Sequence, residues 1–180
     1  MYEVEVKVPA DLATVRDRLA ALDATPEGSV VQVDTYYDAP HRDFPETDEA
    51  LRIREERPAD GADETRITYK GPLVDDESKT REEVETAIRD GEKFDAILMN
   101  LGFEPAATVR KERDRFSLEG YTVTLDSVDG VGEYVEVETD VADESDLEAA
   151  RDGAYDVLER LGLDPNDQIR TSYLGLLLES

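Results

Sequence analysis

Glu3, Glu5 and Lys7 stand at alternate positions, so in an extended chain their side chains leave the backbone on one side. The spacing recurs downstream. Arg52 and Arg54 share a side, as do Arg66, Thr68 and Lys70, then Arg81, Glu83 and Glu85, then Lys111, Arg113 and Arg115. Thr122, Thr124 and Asp126 follow, and finally Tyr134, Glu136 and Glu138. Only 20 residues of 180 are Lys or Arg, against 46 Asp or Glu. Cations this scarce, gathered on one face of successive extended runs, point to an anion site. Arg offers planar forks that match phosphate oxygens, and Lys adds a compact charge. Carboxylates in the same array would repel that anion unless a divalent cation lay between them. Hard oxygen ligands favour Mg²⁺ or Mn²⁺, held by a few carboxylates together with phosphate oxygens. Both sets together describe a metal–triphosphate site.

The elements that must position these groups follow from hydrophobic periodicity. Val4, Val6 and Val8 alternate with the first charged trio, which predicts a strand over Tyr2 to Val8. Further strands are expected at Val30–Tyr37, Ala50–Glu56, Thr65–Lys70, Lys79–Thr86, Thr108–Ser117, Tyr121–Ser127 and Gly132–Thr139. Helical spacing appears at Leu12, Val15, Leu19 and Leu22, and again at Phe94, Ile97, Leu98 and Leu101, ended by Gly102. A third stripe runs from Leu147 to Leu161, and Tyr173 to Leu178 is expected to be helical too. If the charged faces converge, the apolar counter-faces must pack outward beneath the helices. The expected fold is therefore α+β: one domain over residues 1–180, dominated by antiparallel strands that form a barrel charged inside, with helices outside.

Composition excludes several alternatives. A net charge of −26 leaves no basic surface for a nucleic-acid backbone. The chain has no cysteine, hence no disulfide framework and no thiolate chemistry. Neither a G-x-G-x-x-G nor a P-loop occurs, and the lone His41 has no second histidine to make a metal pair. No apolar run reaches the roughly 20 residues needed to span a bilayer, and the N-terminus lacks signal-peptide character, so a soluble cytoplasmic protein without a membrane partner is expected. Acidity with only five lysines reads as a solvating shell suited to a halophilic cytoplasm. The Leu174, Leu176, Leu177, Leu178 cluster reads as helix core, with a homodimer contact as the alternative.

The order of motifs resembles the CYTH, or triphosphate tunnel metalloenzyme, family. The family's E-x-E-x-K signature is matched by Glu3 to Lys7, and Asp34-Thr-Tyr-Tyr-Asp38 and Leu51-Arg52-Ile53-Arg54 follow in place. Thr68-Tyr-Lys70-Gly-Pro72, Arg81-Glu-Glu83-Val-Glu85, Lys111-Glu-Arg113, Leu125-Asp126, Glu136-Val-Glu138 and Thr171-Ser-Tyr173 complete the series. The likeness spans nearly the whole chain and is strongest to the class IV adenylate cyclase branch. It implies a closed antiparallel β-barrel of about eight strands, a triphosphate tunnel with helices outside, and a metal-dependent enzyme acting on ATP, giving cyclic AMP and pyrophosphate. Alternatives are a triphosphatase for inorganic tripolyphosphate or thiamine triphosphate, or a non-catalytic polyphosphate-binding protein. By resemblance, Glu3, Glu5, Glu136 and Glu138 hold Mg²⁺ or Mn²⁺. Lys7, Arg52, Arg54, Lys70, Lys111 and Arg113 grip the triphosphate, and Lys7 and Asp126 are the catalytic candidates. Arg81, Glu83 and Glu85 are expected to pair along the wall, and Arg170 falls near a basic C-terminal position. Glu133 departs from the family pattern, where a basic residue is common.

Overall fold

Alternation along each strand decides its facing, and closure of the sheet then assigns one face to an interior and the other to the helices. A computed structural model describes residues 1–179. Its strands are β1 (Tyr2–Pro9), β2 (Thr25–Asp38), β3 (Ala50–Pro58), β4 (Glu64–Leu73), β5 (Lys79–Ile88), β6 (Glu104–Leu118), β7 (Tyr121–Val128) and β8 (Gly132–Val141). They close in the order β1-β5-β4-β3-β2-β6-β7-β8, every neighbouring pair antiparallel. Five helices lie outside the ring: α1 (Leu12–Ala21), α2 (Phe44–Thr47), α3 (Gly91–Asn100), α4 (Leu147–Arg160) and α5 (Tyr173–Glu179).

The hydrophobic core lies between the barrel and these helices. Val6, Val8, Val123, Leu125, Val135 and Val137 meet Leu12, Val15 and Leu19 of α1 and Val157 and Leu158 of α4. Burying each such side chain is worth about 1.5–3 kcal/mol, so this outer layer supplies the driving force that a charged interior cannot. A second cluster packs Tyr37, Ile53 and Ile67 against Phe94 and Leu98 of α3. A third packs Val109 and Val128 against Tyr173, Leu174, Leu176 and Leu177 of α5. Most of the leucine-rich tail is therefore packed on its own barrel, and Leu178 stays exposed.

Every strand runs longer than periodicity predicts, β2 and β6 by the most. β2 begins at Thr25 and β6 at Glu104, because each extends along the other, from Thr25 opposite Ser117 to Asp38 opposite Glu104. The polar residues at their ends carry no alternation, so only the pairing reveals them. Helix α2 is a single short turn between β2 and β3. Asp43 caps it by accepting from Glu46 N, and Pro45 suits its first turn. Helix α3 ends as expected, with Gly102 at φ +95°, a conformation that L side chains avoid.

Candidate active site in the barrel interior

The inward faces enclose a cavity of about 760 Å³, inside the range of roughly 300–1,000 Å³ usual for ligand pockets. Arg52, Arg54, Lys70, Lys111 and Arg113 line it, and so do Glu3, Glu5, Glu136 and Glu138. Nine of the expected site residues thus converge, drawn from β1, β3, β4, β6 and β8. Aromatic and apolar groups, among them Tyr36, Phe44, Pro45 and Leu174, complete the lining.

One wall is cationic and built around a buried carboxylate. Asp34 on β2 lies opposite Arg54 on β3, and Arg54 donates Nε to Oδ1 at 2.6 Å and Nη2 to Oδ2 at 2.8 Å. Arg52 and Lys111 each approach Asp34 Oδ2 to 3.7 Å. Burial alone would raise the Asp34 pKa, but Arg54, Arg52 and Lys111 outweigh it and hold the carboxyl far below its ordinary range. One carboxylate therefore organises three cations without neutralising them. Arg52 Nε and Arg81 Nε are buried with no hydrogen-bond partner. On the same wall Lys70 pairs with Glu83 and lies 3.8 Å from Glu3.

The facing wall is acidic. Glu5 stands directly opposite Glu138 across the β1–β8 pair, and Glu3 opposite Asp140. Like charges in that register are destabilising by themselves. Carboxylate oxygens of Glu3, Glu5 and Glu138 all lie within 4.8 Å of one another. Burial followed by Glu3 pushes the Glu138 carboxyl well above its ordinary pKa, and burial followed by Glu136 raises Glu5. Hard oxygen donors, a shared focus and a repulsion that Lys70 and Lys79 offset only in part all fit a divalent cation of the Mg²⁺ type. Glu136 stands apart from this trio. Arg113 Nη2 donates to it at 3.3 Å, and Arg113, Lys7 and Lys79 together overcome burial to keep it ionised.

Lys7 and Asp126 lie one layer behind the lining. Asp126 accepts both forks of Arg113, Nε and Nη2, at 2.6 Å each. Lys7 is fully buried, and its Nζ donates to the Thr171 carbonyl at 2.5 Å. Desolvation and then Lys79 lower the Lys7 pKa to about 8, against Glu5, Glu136 and Asp126, which act to raise it. Neither residue touches the cavity in this arrangement; each acts on groups that do.

Arg81, Glu83 and Glu85 run along the wall in ion pairs, with Asp48, Lys70 and Arg66 respectively. Arg170 points away from the cavity and donates to the Ser78 and Asp75 carbonyls, pinning the turn before β5. Glu133 Oε1 accepts from Leu12 N at 3.4 Å, at the start of α1. Sequence reasoning passed over Asp34, Lys79 and Tyr173 as site residues. Lys79 was detectable, since it shares a face with Arg81 and Glu83, and it lies 3.3 Å from Glu5. Asp34 and Tyr173 carry no such periodic signal.

A closed antiparallel barrel with an ion-lined interior and its apolar faces turned outward defines the class: a tunnel with charged side chains lining the inside of the sheet. The chain belongs to the CYTH domain family, whose pattern it matches over residues 1–173. It is 38% identical to a Methanocaldococcus jannaschii protein named as a candidate adenylate cyclase, over 98% of each chain. It is 29% identical to adenylate cyclase CyaB of Aeromonas hydrophila, over 99% of this chain and 90% of that one. Among solved structures, the PH1819 protein of Pyrococcus horikoshii superposes with a TM-score of 0.92 at 39% identity, over 98% of each chain. A Hippeastrum protein described as having a dominant triphosphatase activity shares the fold, with a TM-score of 0.66 at 16% identity, over 99% of this chain and 95% of that one. No helix among the described residues is long and apolar enough to cross a membrane.

Proposed function

We propose that the barrel interior binds the triphosphate of a nucleoside triphosphate together with Mg²⁺ or Mn²⁺, and converts ATP to cyclic AMP and pyrophosphate. One observation carries the reading: a cation wall with unpartnered guanidinium donors faces a focused carboxylate trio across a single cavity. The names of the two relatives support the choice of nucleotide, and the rim of Tyr36, Phe44 and Leu174 offers an organic group an apolar seat.

Arg52, Arg54, Lys70, Lys111 and Arg113 hold the phosphate chain, Glu3, Glu5 and Glu138 hold the metal, and Glu136 orients Arg113. When bound, the metal supplies charge neutralisation and Lewis-acid polarisation of phosphate oxygens. In the cyclising reaction the ribose 3′-oxygen bonds to the α-phosphorus as its proton passes to solvent water, and the bond from that phosphorus to the bridging oxygen breaks, releasing pyrophosphate. Cations preorganised in a low-dielectric site stabilise the charge that develops on the leaving group. Asp126 serves this wall through Arg113. Lys7, the signature lysine, serves it through its field on Glu5 and Glu136.

The test is purified protein in concentrated KCl with Mg²⁺ or Mn²⁺, offered ATP, tripolyphosphate and thiamine triphosphate, with cyclic AMP and phosphate both measured. Cyclic AMP without free phosphate is the expected result. Phosphate released from tripolyphosphate or thiamine triphosphate makes the protein a triphosphatase, and binding without product makes it a polyphosphate-binding protein. Glu3→Gln is expected to lower metal-dependent turnover by about a hundredfold or more, as losing a charged metal ligand does. Unchanged turnover removes Glu3 from the site.

A further inference from the structure

Helix α5 brings one aromatic ring into the charged interior. Tyr173 is buried, with its ring centroid 4.2 Å from Lys7 Nζ and 5.0 Å from Lys111 Nζ. Its hydroxyl donates to Asp126 Oδ2 at 2.7 Å, the carboxylate that also holds Arg113. The segment leading into the helix is stitched to the same groups. Ile169 N donates to the Lys7 carbonyl at 2.7 Å, and the Thr171 carbonyl accepts from Lys7 Nζ. Arg170 ties that segment to the turn from which Lys79 enters the wall.

A helix that merely covered the barrel would present leucine to valine, as Leu174, Leu176 and Leu177 do. Tyr173 goes further and offers a ring face to two ammonium groups, whose attraction to it strengthens when water is excluded. Lys111 has particular need of it. Among the described residues its one ion pair is with Asp34 at 3.7 Å, longer than a hydrogen bond. A lysine stem has four rotatable bonds, and that pair alone does not fix its aim.

We propose that Tyr173 is a positioning residue, whose ring holds Lys111 at the cavity wall and Lys7 behind it in the arrangement that receives a triphosphate. This rests on the triphosphate reading above. The C-terminal helix is on this view part of the binding site.

The experiment compares wild type, Tyr173→Phe and Tyr173→Leu. Each is titrated calorimetrically with Mg²⁺ tripolyphosphate, and the ε-methylene signals of the five lysines are read by NMR after ¹³C-lysine labelling. Phe keeps the ring and loses only the hydroxyl bond, so its affinity should stay within about threefold of wild type. Leu should bind about tenfold more weakly or worse, as losing a buried cation–ring contact implies. Ring-current displacement of the Lys7 and Lys111 signals should persist in Tyr173→Phe and vanish in Tyr173→Leu. Wild-type affinity in Tyr173→Leu, or equal losses in both variants, overturns the proposal. If Tyr173→Leu shows no cooperative melt, Tyr173→Met takes its place under the same criteria. A wild-type protein that binds no tripolyphosphate while its two lysine signals are displaced overturns the triphosphate reading and leaves the ring contact supported. Undisplaced signals in wild type overturn the contact itself.

Discussion

Lys111 shows how a single side chain is set by its surroundings. Desolvation comes first, then Arg113 and Arg54, and together they lower its pKa from 10.5 to about 7 despite the opposing pull of Asp34 and Asp126. The consequence for stability has a definite sign. In the unfolded chain this lysine keeps its proton up to about pH 10.5, whereas in the folded chain it gives it up near 7, so between those values the unfolded state binds more protons. Its contribution to stability therefore rises with pH across that window, and below it the charged form is a net cost. Lys111→Met should melt higher than wild type at pH 7, and the gap should close toward pH 10. Melting curves at the two pH values, in phosphate-free buffer, check this; a gap independent of pH assigns the effect to packing. Bound triphosphate reverses the balance, because it gives the ammonium an anionic partner.

At the scale of elements, Asp34 joins three strands by charge as well as by backbone. It sits on β2, takes Arg54 and Arg52 from β3, and faces Lys111 from β6. Asp34 is the one carboxylate among these three cations, and removing it costs about 3–5 kcal/mol, since the buried cations are left uncompensated in low dielectric. Asp34→Asn should therefore lower the denaturant midpoint by an amount of that order. Tripolyphosphate should recover part of the loss, because an anion in the cavity replaces the missing charge and binds only the folded state. Chemical denaturation with and without the anion measures both effects, and an unchanged midpoint denies Asp34 its organising role. The strands themselves were readable in the sequence, because alternation of valine with charge leaves one way to face. Asp34 was not. Its same-face neighbours Gln32 and Tyr36 are uncharged, so its own strand repeats no pattern, and its partners come from 18 residues or more away.

For the whole molecule, the net charge of −26 and the cationic cavity wall describe different surfaces. Acidic residues crowd the loops and helix exteriors, where their mutual repulsion works against the compact state at low ionic strength. Raising salt to about 1 M shortens the screening length to about 3 Å and removes most of that repulsion, while the buried pairs inside the barrel are screened far less. The melting temperature should therefore climb steeply with KCl between about 0.1 and 2 M and then level off. A melting temperature that does not move with salt removes the reading of the acidic shell as a salt adaptation.

The amino-acid sequence by itself determined the inverted barrel and nine of the residues that line its cavity. The barrel follows from local periodicity, which side-chain alternation converts directly into facing, and the choice of those nine from the order of motifs that resembles the CYTH family. Tertiary structure decided what periodicity cannot encode. It separated Glu136, claimed by Arg113, from the Glu3, Glu5 and Glu138 trio. It drew Lys7 and Asp126 back from the cavity, and it placed Tyr173 between two lysines from strands distant in the chain. Those outcomes depend on the order in which the strands close and on where the C-terminal helix lands, so they are properties of contacts between segments and not of any segment alone.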